Sequence, residues 1–174
     1  MTAQANLNLN LRLDSRIPST ANLGAMPTHA PVISQIIELV DGTGVGQIDV
    51  IYAKNLTLTT GASIALDLTG VTKDSFGNNI VMTTLCGCVI INKGIDGAIN
   101  TTNLTVGAGS NPFLGLFGVA TGFATLRPGR ILLEWCGEAG GLGTVVAGTG
   151  DTINITNDAG ATNQFQVVLF GRSV

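Results

Sequence analysis

Residues 5–13 alternate between apolar and polar side chains without a fault. Leu7, Leu9, Leu11 and Leu13 fall on one side; Asn6, Asn8, Asn10 and Arg12 fall on the other. That period of two predicts a half-buried β-strand. The following stretch, 14–31, holds Pro18, Gly24, Pro27 and Pro31 and few bulky residues. Each proline removes a backbone donor and pushes the residue before it out of the helical region. Residues 1–31 therefore read as an extended N-terminal arm with a Pro-rich tether, the kind of segment that docks on a neighbour by strand addition. An ordinary first strand followed by a long loop is the alternative. If the arm docks, Leu7, Leu9, Leu11 and Leu13 with Asn6, Asn8 and Asn10 are its interaction residues.

From residue 32 to 174 short apolar segments alternate with turn signals. Strands are predicted at Val32–Val40, Gln47–Ala53, Leu56–Leu58, Ser63–Leu68, Ile80–Asn92, Asn103–Val106, Gly122–Leu126, Arg130–Trp135, Gly143–Ala147, Thr152–Thr156 and Gln164–Phe170. The punctuation includes Asp41-Gly42, Asp74 to Asn78, Gly94 to Gly97, Pro128-Gly129 and Asp158-Ala159-Gly160. Glycine, asparagine and aspartate supply the backbone angles that tight turns need. No segment keeps a helical period over a useful length. The predicted class is all-β: one antiparallel β-sandwich or barrel domain over 32–174, preceded by the arm.

Composition sharpens this picture. Only 11% of the 174 residues are charged and 45% are hydrophobic, with a mean hydropathy of +0.43. No run of 18 or more apolar residues accounts for that value, so no membrane partner is expected. A chain this apolar and this poor in charge is expected to bury surface against copies of itself or a larger assembly. The formal net charge is −3 and the 8 basic residues are scattered, which argues against a nucleic-acid partner. The first residues lack a basic segment followed by an apolar one, so synthesis in a cytoplasm is expected.

Little in the chain is suited to catalysis. His29, the one histidine, lies in the tether, whereas a metal site or a catalytic triad needs one held rigidly among partners. Cys86, Cys88 and Cys136 give at most three thiolates for zinc, with no fourth ligand nearby in sequence. Cys86 and Cys88 stand two apart in an apolar strand, which places them on one face as small core residues. Gly42-Thr43-Gly44-Val45-Gly46 and Gly148-Thr149-Gly150-Asp151 are fragments of phosphate-loop patterns without the Gly-Lys ending or a following helix, and read as hairpin turns. Asp151 with Thr149 suits a cation or a polar turn network, but no calcium-loop pattern is present. Glu134, Glu138, Asp49 and Asp67 show no spacing that pairs any two; Asp49 and Asp67 read as solvent-facing. Four Asn-X-Thr sites (at Asn55, Asn100, Asn103 and Asn154) read as accidents of composition. Trp135 reads as packing and not as a sugar platform. No catalytic residue, metal or cofactor is expected.

Two stretches carry a family resemblance. One is Leu66-Asp67-Leu68-Thr69-Gly70-Val71-Thr72-Lys73-Asp74-Ser75-Phe76-Gly77. The other runs from Asn103-Leu104-Thr105-Val106-Gly107 through Asn111-Pro112-Phe113, Arg127-Pro128-Gly129 and Ala147-Gly148-Thr149-Gly150-Asp151-Thr152-Ile153 to Phe170-Gly171-Arg172-Ser173. Together they resemble small virion structural proteins of tailed bacteriophages, over about residues 35–174 and without the arm. The motifs are turn chemistry, with no active-site residue among them. Arg130 stands where the family pattern has a second glycine after Pro-Gly, which alters that turn. The resemblance implies a jelly-roll-like β-sandwich displayed on the capsid surface. The function expected from it is a capsid decoration or cement protein that forms a homo-oligomer, expected as a trimer, and bridges major capsid protein subunits. A tail or fibre component, or a glycan-binding sandwich for host attachment, are the alternative expectations.

Overall fold

In the computed structural model two four-strand antiparallel ladders face each other across one apolar core. The structure describes residues 7–14, 17–18, 28–29 and 32–174, with side chains from Ile36 onward. The first strands are β1 (Leu7–Asp14), β2 (Ile17–Pro18), β3 (Thr28–His29), β4 (Val32–Asp41), β5 (Gln47–Ile48) and β6 (Val50–Leu58). Then come β7 (Ser63–Asp67), β8 (Thr69–Lys73), β9 (Asn79–Val81), β10 (Thr84–Ile91), β11 (Leu104–Gly107) and β12 (Phe123–Leu126). The last are β13 (Ile131–Trp135), β14 (Gly143–Thr144), β15 (Thr152–Asn157) and β16 (Asn163–Arg172). One 3-10 turn, Leu114–Leu116, precedes β12.

The first sheet has the order β13-β10-β16-β6, with β14 at the end of β10; the second has the order β12-β11-β15-β7. The expected antiparallel β-sandwich is therefore found. Its interior follows from alternation: β15 buries Ile153 and Ile155, and β16 buries Phe165, Val167 and Leu169. They meet Tyr52, Leu66, Cys88, Ile90, Leu104, Val106 and Leu126 in one cluster. Burial raises the pKa of the Tyr52 phenol, because a phenolate cannot be solvated there.

A buried amide network sews the two sheets together at one end. Asn92, Asn157 and Asn163 are fully buried, and Thr102 nearly so. Asn92 Nδ2 donates to the carbonyls of Thr102 and Leu126. Asn163 Nδ2 donates to Asn92 Oδ1 and Thr102 O, and the Thr102 hydroxyl donates to Asn157 Oδ1. Asn157 Nδ2 reaches the carbonyls of Leu58, Thr59 and Ala161. These bonds satisfy backbone groups where strands end inside the molecule, the places where an orphaned carbonyl is costly.

The structure departs from the sequence expectations at several strands. The predicted segment Ile80–Asn92 is two strands, β9 and β10, broken at Met82-Thr83. β8 was not expected; it pairs with β9 in a small separate ladder. Within the predicted tether, β2 and β3 form a two-residue ladder that pairs Ile17 with His29. The Gly42–Gly46 turn does not close a hairpin, because β5 runs parallel to β4. The Pro128-Gly129 turn absorbs Arg130 easily. Gly129 has φ +80 and the Arg130 amide donates to Arg127 O at 2.9 Å. In such a turn only the third position demands glycine, and Arg130 is the fourth.

Candidate interaction surface

The central sheet is apolar on both faces. Register aligns its outward positions in three rows of four: Trp135–Gly87–Phe170–Ile51, Leu133–Val89–Val168–Ala53, and Ile131–Ile91–Gln166–Asn55. None of these positions is charged, and only the last row holds polar residues. A sandwich sheet with one solvated face shows polar residues outward. This one shows a second apolar surface.

One end of that surface is covered. Leu39 of β4 and Ile48 of β5 are buried against Cys86 and Phe170, with Ile37, Ile51, Val89, Trp135 and Val168 around them. Arg172 is buried at this end. Its Nε donates to Cys86 Sγ at 3.1 Å and its Nη2 to Glu138 O at 2.6 Å. The other end is open. Ile131 is 57% exposed and Leu133 37%, and both lie on β13, the edge strand of the sheet. Across the sheet, Ala53, Asn55, Gln166 and Val168, with Lys54 and Ser75, line an open groove of about 530 Å³. The Asp74–Asn78 turn flanks it, with Ser75 Oγ donating to Ala53 O at 3.0 Å.

The predicted interaction residues lie on β1, except Asn6, which is outside the described residues. β1 pairs antiparallel with β4 of its own chain. Leu7 stands opposite Leu39, Leu9 opposite Ile37, Leu11 opposite Gln35 and Leu13 opposite Ile33; Asn8 and Asn10 stand opposite Glu38 and Ile36. The expected division at residue 31 thus runs between two strands of one ladder. Ile36 and Val40, on the other face of β4, are each 53% exposed.

The cysteines separate. Cys86 and Cys88 were expected on one face, but a register shift between Leu85 and Gly87 interrupts the alternation. Cys86 joins the outer cluster and Cys88 the sandwich core, since one extra residue in a bulge turns the chain over. Burial, helped by the nearby Glu134 charge, pushes the Cys88 thiol up to about 12. Cys136 is half-buried beside Cys86, its amide donating to Cys86 O at 2.9 Å. Among the described residues no group of three or more His, Cys, Asp or Glu side chains could hold a metal ion.

The carboxylates fall into small hydrogen-bonded sites. Asp49 was expected to face solvent; it is half-buried and accepts the Ser173 amide and hydroxyl, tying the C-terminal end to the start of β6. Asp67 is half-buried too, and the structure brings it near Asp151, a pairing that spacing did not suggest. Thr69 Oγ1 lies 2.9 Å from Asp67 Oδ1 and 3.4 Å from Asp151 Oδ2. Asp151 is 3% exposed and accepts the Gly148 amide, so it holds its own turn. A carboxylate this deeply covered offers no approach to a substrate. Trp135 lies in the outer cluster against Gly137, as packing. Glu134 and Glu138 are exposed on different stretches of chain.

No family model, no curated protein and no solved structure matches this chain.

Proposed function

We propose that this chain is a virion structural protein of a tailed bacteriophage: a capsid decoration or cement protein. It sits on the outside of the head as a homo-oligomer, a trimer, and bridges neighbouring major capsid protein subunits. It is made in the host cytoplasm and acts without catalysis or cofactor. The observation that carries this reading is the outer face of the central sheet, three uncharged rows of which one end is covered and the other open. The resemblance in the turn motifs supports the phage setting.

The mechanism is adhesion. Internal pressure loads the seams between capsid subunits, and a protein that buries surface across a seam lowers the free energy of the intact lattice. A standard interface buries about 1,600 Å² in total. Repetition over many symmetric sites multiplies a modest single contact. Purified protein added to heads that lack it tests the reading by sedimentation. It is expected to pellet with heads at a fixed ratio and to raise the temperature at which they release DNA. Protein that stays in the supernatant, or pellets only with tails, contradicts it.

A further inference from the structure

We propose that the open half of the outer face is a self-docking surface, and that its occupant is the β1–β4 ribbon of a second copy of this chain. The inference rests on the self-association in the reading above, and gives it a surface and a direction.

The structure itself shows what this face accepts. At the Trp135–Phe170 end it already carries side chains of β4: Leu39, 3% exposed, and Ile37 beside it. The open rows continue that contact without a break, from Val89 and Val168 to Leu133 and Ile131. A surface that receives one end of an apolar ribbon therefore extends beyond the part described as covered.

The ribbon has apolar positions to match. Register sets Leu7, Leu9, Leu11 and Leu13 opposite Leu39, Ile37, Gln35 and Ile33. Directly opposed residues share a face in an antiparallel pair. Gln35 is the single polar residue among those eight positions. The ladder spans eight pairs, about 27 Å at the usual rise per residue, and Leu39 and Ile37 of it belong to the cluster at the covered end.

The charge pattern argues against a nucleic acid or an acidic segment as the occupant. The three rows hold no charged side chain, so a nucleic acid or an acidic segment would meet no cation there. Lys54 lines the groove beside the rows, but its Nζ donates to Lys73 O and lies over the Tyr52 ring. A second copy brings an uncharged apolar strip to an uncharged apolar face. The contact is head-to-tail, ribbon of one copy on the sheet of the next, and such contacts close into rings when the rotation permits. A ring of three is the trimer.

The test uses the full chain. A photoreactive benzoylphenylalanine replaces Ile131, and ordinary and ¹⁵N-labelled protein are mixed, unfolded together and refolded. After irradiation, cross-linked peptides joining position 131 to β1 or β4 are expected, with both isotopes in one pair. Pairs confined to single-isotope chains, or mixed pairs that join 131 to other segments, overturn the proposal. In parallel, Leu133→Asp is expected to lower the mass by light scattering to that of one 17.8 kDa chain with an unchanged β circular dichroism spectrum. A folded variant that keeps the wild-type mass overturns the proposal; if it does not fold, the cross-links decide. Head sedimentation is read separately. A wild-type oligomer with the mixed cross-links that ignores heads overturns the virion reading and leaves this surface standing.

Discussion

Gly87 lies directly under the ring of Phe170. The two are cross-strand partners, and a Cβ at position 87 would sit 2.1 Å from the phenylalanine Cζ. The ring fills the space a side chain would take, so the outer face of the central sheet closes over its own glycine. Leu39 and Ile48 cover the ring from outside, and Phe170 is 1% exposed.

Gly87→Val is therefore expected to destabilise the protein. The ring must leave its place or the strands must part, and overpacking of this kind costs about 1–3 kcal/mol. In a chain of this size each kcal/mol lowers the midpoint by about 2–4 °C. Thermal unfolding followed by circular dichroism measures it. A variant as stable as wild type would show that the ring does not rest on the glycine.

Asn157→Ala removes the donor that serves Leu58 O, Thr59 O and Ala161 O, and leaves the Thr102 hydroxyl without its acceptor. An unsatisfied buried group costs about 1–3 kcal/mol, so urea unfolding is expected to show a loss of that order or somewhat more. Gln164→Ala, exposed and touching the network only through its backbone, is the control and is expected to change little.

The thiols are expected to react in order of exposure. In the folded protein an alkylating reagent at pH 8 should modify Cys136 first. Cys88 should stay unmodified until denaturant is added, because its pKa of about 12 leaves almost no thiolate. The same shift has a sign in stability. Above pH 9, the ordinary thiol value, the unfolded chain loses this proton while the folded chain keeps it to about 12. The stability contributed by the neutral thiol is fully present below pH 9 and declines as pH rises toward 12. Cys88→Ala should flatten that part of the alkaline profile.

Much of the fold was legible in the chain because it rests on alternation. Ser63–Asp67, Ile131–Trp135 and Thr152–Asn157 were found nearly to the residue, since each is bounded by glycine, proline or asparagine turns. Alternation failed where both faces are covered. In β10, Leu85, Cys86, Cys88, Val89, Ile90 and Ile91 are apolar on both parities, which marks a strand buried on two sides. That signal points to a second apolar face as well as to the core. The bulge before Gly87 left no mark that distinguishes it from a regular strand, so Cys86 and Cys88 were placed together. The Asp67–Thr69–Asp151 site joins residues 82 apart in sequence, a proximity that arises only once β15 pairs with β7. The leucine alternation of β1 was plain, whereas its partner strand, β4, is set by tertiary pairing.

The central claim is that this chain works as a structural adhesive on a phage head. Electron microscopy of virions carrying gold-labelled copies of the protein tests it most directly. The account predicts label on the outside of the head, repeated at symmetry-related capsid positions. Label confined to the tail, or virions that carry none, would contradict it.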